Sequence, residues 1–232
     1  MNGFEISTFS IVLPIKGEDT SNKTPTRVIL SFIVNNCNSN NINGEVIKVI
    51  SNDPSAYGLK RASELGIPSK IIDHKKYNNR DDFENSLEKY LDQLNPDLIV
   101  LAGFMRILGS KITNKYLKKM INLHPSLLPK YPGLNTHEKA LSNSDKIHGI
   151  SIHFVSSELD AGPLIAQGII DLKKNDKLDE VINRIHTIEH QLLPKIISEI
   201  CKGNIYLNQS NEINYLNINL KNQKILKIKY EL

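Results

Sequence analysis

The architecture follows from one apolar run, DLIVLAG at residues 97–103. The run has no polar side chain after Asp97, which is typical of a parallel strand covered on both faces by helices. Asn95-Pro96 precedes it and stops a helix predicted over Arg80–Gln93, whose apolar residues recur every three or four positions. We therefore interpret this part of the chain as a helix followed by an inner strand of a parallel sheet.

The same alternation of strands and helices extends toward the amino terminus. Short apolar runs predict strands over Phe9–Leu13, Glu45–Ser51 and Lys70–Ile72. Helices are predicted over Val28–Asn36 and from an N-cap in Asn52-Asp53-Pro54-Ser55 through Leu65. This order predicts an α/β fold with a doubly wound, mostly parallel, Rossmann-like sheet. Ligands of such sheets bind beyond the carboxyl ends of the strands.

The second half of the chain predicts a mixed C-terminal part. Strands are expected over Met120–Leu123, Gly149–Val155, Leu164–Leu172 and, in the tail, Lys224–Tyr230. A long helix is predicted over Leu178–Ile200, and Pro194 should kink or interrupt it. No repeat or linker divides the chain, so we predict a single domain over residues 1–232. Its halves are a nucleotide-binding-like part, about 1–103, and a catalytic part, about 104–232.

Composition excludes several classes of function. With 232 residues, of which 40% are hydrophobic and 23% charged, the chain is typical of a folded globular protein. No apolar run approaches the roughly 20 residues of a membrane span, and no secretory signal is visible, so we expect a cytoplasmic protein without a membrane partner. Two cysteines provide neither a disulfide framework nor a zinc site. Because tryptophan is absent and aromatic residues make up 6%, we expect no nucleic-acid partner, and a small anionic substrate is the better hypothesis.

The segment Asn122-Leu123-His124 carries the first candidate chemistry. It lies at the end of a predicted strand, where a ligand is expected. Residues i and i+2 of a strand point to the same side, so the Asn122 amide and the His124 imidazole can converge on one developing negative oxygen. A hydrogen-bonded histidine at a strand end is the alternative interpretation.

A second candidate is Asp160, which lies in a loop between two predicted strands beside small residues that let a ligand approach the backbone. A carboxylate near His124 would raise the pKa of the imidazole and fix the orientation of its ring. The alternative for Asp160 is an ordinary turn residue. Three other histidines show no metal-ligand spacing and are interpreted as structural: His137, His148 and His153.

Both candidates belong to longer segments that occur together. These segments are AGFMRIL at residues 102–108, INLHPSLLP at 121–129, HGISIHFV at 148–155 and LDAGP at 159–163. In combination they resemble the folate-dependent formyltransferases, over a stretch from about Glu45 to about Asn219. Within that family, YPGLNTH at residues 131–137 is similar to the branch that formylates the amine of 5'-phosphoribosylglycinamide in de novo purine biosynthesis.

The resemblance implies an enzyme that transfers a formyl group from the co-substrate 10-formyltetrahydrofolate to an amine, without a metal. Asn122, His124 and Asp160 match the catalytic residues of the family. The amine would attack the formyl carbon directly. Protonated His124 and the Asn122 amide would stabilise the oxyanion, and Asp160 would keep His124 charged and help to move the proton.

The resemblance also implies binding residues, which place the folate in the second half of the chain. Those for the folate are Arg80, Met105, Arg106, Ile107, Leu108, Asn122, Ser156, Ser157, Glu158, Leu159 and Asp160. Those for the amine substrate are Gly103, Pro125, His186 and Glu189. The Glu189 carboxylate would face the substrate ammonium, whereas His186 stands where the family often has Gln or Lys.

The chain departs from the family after its first strand. There the family has a glycine-rich loop whose backbone amides bind the substrate phosphate at a helix start, but residues 13–27 contain one glycine together with Glu18 and Asp19. Ser21 and Asn22 could match the end of that loop, or the helix cap near Pro25 could bring Arg27 to the phosphate. A solvated loop that binds no phosphate is the third alternative.

This departure leaves the identity of the amine open. The alternatives are a formyltransferase for another amine, such as an amino-sugar nucleotide, and a folate-binding protein with a degraded substrate loop. A hydrolase that releases formate is disfavoured, because its relatives carry an additional N-terminal domain. We expect a monomer or a homodimer whose partners are small molecules.

Overall fold

The computed structural model of the chain describes residues 9–15, 25–104, 106–221 and 223–232. Its strands are β1 (Phe9–Ile15), β2 (Gly44–Ser51), β3 (Ser69–Ile71), β4 (Leu98–Ala102), β5 (Met120–His124), β6 (Ile147–Phe154), β7 (Leu164–Asp171), β8 (Ile205–Leu207), β9 (Ile213–Tyr215) and β10 (Leu226–Lys229). Its helices are α1 (Pro25–Asn38), α2 (Tyr57–Glu64), α3 (Arg80–Leu94), α4 (Ser110–Lys115), α5 (Thr136–Ser142) and α6 (Leu178–Cys201). The short helices α4 and α5 lie where the sequence pattern predicts no element.

Strands from both halves of the chain form one eight-stranded sheet in the order β10-β7-β6-β5-β4-β1-β2-β3. Neighbouring strands are parallel except at β6, which pairs antiparallel with both β5 and β7. The strands β8 and β9 form a separate antiparallel pair. The predicted doubly wound, mostly parallel sheet with a mixed C-terminal part is confirmed.

Local sequence accounts for the helix α3 and the strand β4. Asn79 caps α3 by accepting a hydrogen bond from the Asp82 amide at 2.8 Å, and Asn95 ends the helix in the left-handed conformation at φ 42°. All residues of β4 are buried, as expected of an inner parallel strand. Capping and apolar spacing act over a few residues, so the bounds of these elements are readable from the chain.

Helix α6 shows that one of the two effects predicted for Pro194, an interruption, is wrong. It continues without interruption from Leu178 to Cys201 through the proline. Proline removes one backbone hydrogen bond from a helix, but α6 packs on α1, β6 and β7, and Ile188 and Leu192 are 0% exposed. Burial of this apolar face stabilises the helix by more than the proline costs.

The turn before α2 also differs from its prediction. Asp53 accepts hydrogen bonds from the amide and the hydroxyl of Ser55, at 2.8 Å and 2.7 Å, and so closes the turn itself. The N-cap residue of α2 is Ala56, which makes no capping bond through its side chain. Residues 52–55 therefore form a turn before α2, as predicted, but do not cap the helix.

The ends of β4 and β5 lie side by side, because the two strands are parallel and Ala102 pairs with Leu123. β6 returns beside β5 with His153 opposite Asn122. This juxtaposition positions the site described below. None of the helices in the described ranges combines the length and the apolar character that a membrane span requires.

Candidate functional site

A cavity of about 400 Å³ opens beside the ends of β4 and β5. Many of the residues proposed from the sequence line it, namely Gly103, Arg106, Ile107, Leu108, Asn122, His124, Pro125, Ser156, Ser157, Glu158, Leu159, Asp160 and Glu189. These residues come from four separate parts of the chain, so the fold brings them together. His137 and His153, interpreted above as structural, line the same cavity.

His124 and Asp160 form the centre of the site. The Nδ1 atom of His124 lies 3.4 Å from Oδ2 of Asp160, and the two side chains are 6% and 9% exposed. The backbone amide of Gly133 donates to the same Asp160 oxygen at 2.8 Å. Asp160 has a φ of 51°, which is a left-handed backbone conformation, and its carboxylate lies beside His124 at the end of β5.

Burial and polar contacts have opposite effects on the pKa of His124. Burial lowers this pKa below its ordinary value, while the backbone carbonyl of Tyr131 and the charge of Asp160 oppose the change. In Asp160, burial raises the pKa, but the nearby His153 ring and the hydrogen bond from the Gly133 amide outweigh it, so the carboxyl pKa lies below its usual range. At neutral pH, a neutral imidazole therefore faces a carboxylate.

His153 is a residue of the site that sequence reasoning missed. Its Nδ1 donates to the Phe154 carbonyl at 2.9 Å, which leaves Nε2 of the neutral ring as an acceptor. The Asn122 amide nitrogen lies 3.2 Å from this Nε2, so the amide group of Asn122 is oriented by His153. The Nε2 atom also lies 3.7 Å from Oδ1 of Asp160. Strand register alone would have revealed the contact, because His153 is the residue opposite Asn122.

The rim of the cavity is apolar and partly exposed. Ile107 and Leu159 are 54% and 50% exposed, whereas Leu108 is buried. The Arg106 guanidinium lies 5.2 Å from the centre of the Phe83 ring, a cation–π distance that holds the side chain beside the cavity. This arrangement suits a flat ring system whose edge can meet backbone groups.

Glu189 of α6 lines the cavity from another side. Glu189 is 3% exposed, and its Oε2 atom has no hydrogen-bond partner in the described part of the chain. Burial raises the pKa of this carboxyl to about 8. A buried carboxyl without a partner is costly unless a ligand supplies one.

Arg80 and His186 are not among the residues that line the cavity. The Nε atom of Arg80 instead pairs with Glu84 at 2.6 Å, one helical turn along α3, and that carboxylate also accepts from the Gly109 amide. The ring centre of His186 lies 6.4 Å from that of His190. A local ion pair thus explains the position of Arg80.

The side chains of the other predicted residues are not described. Met105, Ser21 and Asn22 lie outside the described residues, and of Arg27 only the backbone, in the first turn of α1, is described. Where the structure describes the chain, no three His, Cys, Asp or Glu side chains are grouped so that they could hold a metal ion.

Comparison with known proteins adds a family to this geometry. The family model described as formyl transferase matches residues 24–197. A phosphoribosylglycinamide formyltransferase of Escherichia coli (strain K12) is 40% identical over 181 residues, covering 78% of this chain and 85% of the relative. A protein of the same name from Haemophilus influenzae is 39% identical, covering 77% and 84%. The structure of the phosphoribosylglycinamide formyltransferase of Coxiella burnetii in complex with CHES has a TM-score of 0.82 and 37% identity, covering 96% of this chain and all of that one.

Proposed function

This chain belongs to the formyl transferase family, and on that premise we propose that it transfers a formyl group from 10-formyltetrahydrofolate to the amine of 5'-phosphoribosylglycinamide. The reaction is a step of purine biosynthesis, and curated relatives at 39–40% identity carry the name of this enzyme. One observation of the site carries the proposal. An amide, an imidazole and a carboxylate, from Asn122, His124 and Asp160, converge at one end of the cavity.

These three side chains suit acyl transfer to an amine. His153 accepts one N–H of Asn122, and the second N–H is directed to the oxygen that becomes negative as the amine adds to the formyl carbon. A new C–N bond forms at that carbon, and the bond to the folate nitrogen breaks. The proton that leaves the amine ends on the folate nitrogen, relayed by His124 and Asp160.

The folate binds along the apolar rim of the cavity. Arg106, Ile107, Leu108 and Leu159 contact its ring system and the attached chain, and the backbone of residues 156–160 meets the polar edge of the pterin. The half-exposed Ile107 and Leu159 support this assignment, since a bound ring would remove their side chains from water. Met105 is assigned to the same pocket from its position in the chain. Arg80 is also assigned to the folate. Its guanidinium would have to separate from Glu84 before it could contact the ligand.

Glu189 binds the amine-bearing end of the substrate, with Gly103 and Pro125 lining the approach and His186 close in the same helix. The unpartnered Oε2 atom of Glu189 supports this assignment, since an ammonium group would supply the missing partner. The phosphate binds at the start of α1, where Arg27 neutralises it and Ser21 and Asn22 donate hydrogen bonds to it.

We infer that residues 1–232 form one domain, because strands from both halves share a single sheet. The enzyme works in the cytoplasm as a monomer or homodimer and needs small molecules as partners and no metal. The cytoplasmic location and the small-molecule partners follow from the proposed reaction, which consumes two soluble metabolites.

The proposed function is tested by supplying 10-formyltetrahydrofolate with 5'-phosphoribosylglycinamide and following the release of tetrahydrofolate. We expect multiple turnovers that depend on both substrates. A parallel reaction with an amino-sugar nucleotide tests the other amine. Tight folate binding without turnover on either amine would contradict a formyltransferase, and turnover on the amino sugar alone would contradict the substrate.

A further inference from the structure

The backbone carbonyl of Tyr131 accepts a hydrogen bond from Nε2 of His124 at 2.8 Å. Tyr131 lies in the loop between β5 and α5, seven residues after the histidine. We propose that Tyr131 is a positioning residue, which commits Nε2 of His124 and leaves Nδ1 as the nitrogen that gains and loses the catalytic proton. The proposal rests on the proposed formyl transfer.

A carbonyl oxygen accepts hydrogen bonds and never donates them. At 2.8 Å from this oxygen, Nε2 of His124 carries a hydrogen in both the neutral and the charged ring. The other nitrogen, Nδ1, faces Asp160 at 3.4 Å, which is longer than an ordinary N–H···O hydrogen bond. Nδ1 is therefore the nitrogen whose lone pair can gain a proton, and it faces the Asp160 carboxylate.

Tyr131 holds its carbonyl in place at a conformational cost. Its φ is 55°, a left-handed conformation that bulky residues rarely adopt. The hydroxyl group provides the compensation, since it donates to Oδ2 of Asp145 at 2.9 Å and accepts from Nδ2 of Asn143 at 2.8 Å. Lys130 pairs with the second oxygen of Asp145 at 2.9 Å. These contacts fasten the loop to the turn between α5 and β6.

The same loop also holds the partner of His124. Two residues after Tyr131, the amide of Gly133 donates to Oδ2 of Asp160 at 2.8 Å. One short segment thus contacts both members of the His124–Asp160 pair. A displacement of Tyr131 would change the hydrogen bond of the histidine and, through the backbone, the position of the carboxylate.

Other titratable and charged groups also act on His124. They are Asp160, His153 and His148 on the sheet side and Lys139 and His137 of α5. A test must therefore change Tyr131 and leave these groups in place. It must also report the state of the His124 ring, because a loop that is merely stabilising would alter activity without altering the tautomer.

The test uses ¹⁵N-histidine-labelled full-length protein and reads the two ring nitrogens of His124 by NMR as a function of pH. The His124→Gln variant assigns the signals. In the wild type we expect the neutral ring to carry its hydrogen on Nε2. A neutral ring with its hydrogen on Nδ1 would overturn the proposal, whatever the variants do and whether or not the protein transfers formyl groups.

Three variants then test whether Tyr131 positions the His124 ring. Tyr131→Phe removes only the hydroxyl, and we expect the pKa of His124 to fall and kcat to drop about three- to tenfold with KM for both substrates nearly unchanged. Tyr131→Ala should have a larger effect. Tyr131→Gly should recover part of what the alanine variant loses, since glycine adopts positive φ without strain.

A matched control is Tyr116→Phe, which deletes a similar tyrosine–aspartate hydrogen bond, to Asp92 at 2.6 Å, between two residues that do not line the cavity. We expect it to leave the His124 signals and kcat unchanged. An unaltered His124 titration in Tyr131→Ala would overturn the positioning assignment. Equal loss in the alanine and glycine variants would overturn the link to the left-handed backbone. If no amine accepts a formyl group while the ring behaves as expected, the proposed function fails and the tautomer assignment stands.

Discussion

Nδ1 of His124 and Oδ2 of Asp160 lie 3.4 Å apart, with both side chains almost completely buried. The distance is too long for a strong hydrogen bond but short enough for the carboxylate to favour a charged imidazole. Burial disfavours that charge and has the larger effect on the pKa of His124. A change in the burial or the charge of the pair would therefore change the protonation of His124.

The first prediction concerns His124 itself. His124→Ala should lower kcat by about two or more orders of magnitude, because the acid–base group and part of the oxyanion stabilisation are removed together. Steady-state kinetics with both substrates measure the loss. The far-UV circular dichroism spectrum should match that of the wild type. A correctly folded variant with near-normal kcat would remove His124 from the mechanism.

The second prediction concerns the charge of Asp160. The carboxylate raises the pKa of His124, so Asp160→Asn should lower that pKa further. The limb of the pH profile of kcat/KM that reports ionisation of His124 should then move to lower pH. Measurement between pH 5 and pH 9 shows the shift. Superimposable wild-type and variant profiles would contradict the coupling.

The third prediction concerns His153, which orients the Asn122 amide. His153→Phe should lower kcat about tenfold, because an unanchored amide donates less well to the oxyanion. The matched control is His74→Phe, since the His74 ring also contacts an asparagine, in another part of the fold. Its Nδ1 lies 2.8 Å from the backbone carbonyl oxygen of Asn52 and 3.1 Å from the side-chain amide nitrogen. Equal kinetic effects of the two substitutions would show that a general loss of stability, and not the site, is being measured.

The fourth prediction concerns the buried carboxyl of Glu189. Burial raises its pKa from 4.5 to about 8, so between these values the folded protein keeps a proton that the unfolded chain has released. The wild type therefore loses stability as pH rises from about 4.5 to about 8. Glu189→Gln removes this loss, and its Tm relative to the wild type should rise from pH 5 to pH 8. A difference in Tm that does not change with pH would contradict the raised pKa.

The fifth prediction concerns Arg27 at the start of α1. Arg27→Ala should raise KM for 5'-phosphoribosylglycinamide about tenfold, because a charge-assisted contact to the phosphate is lost. KM for 10-formyltetrahydrofolate should stay the same. An unchanged KM for the phosphate-bearing substrate would leave Arg27 as an ordinary surface charge.

Most of the long strands and helices could be predicted from the sequence because their causes are local, whereas the short helices α4 and α5 were not predicted. The apolar run at residues 97–103 predicts β4, and the spacing of Phe83, Leu87 and Leu91 predicts α3 within one residue of its end. Pro194 shows the limit of this reasoning. Its local preference against a helix interior is overridden by packing of α6 on the sheet, which no short window contains.

Motifs along the chain were sufficient to nominate Asn122, His124 and Asp160, since each lies in a segment whose residue types carry a definite chemistry. Four other features are visible only in the folded structure. They are the distances among these three residues, the contact of His153 with Asn122, the ion pair of Arg80 with Glu84, and the hydrogen bond of His124 to the Tyr131 carbonyl. The reason is physical: propensity, capping and periodicity act between neighbours. Strand register, burial and hydrogen-bond geometry depend on residues that the chain separates and folding brings together.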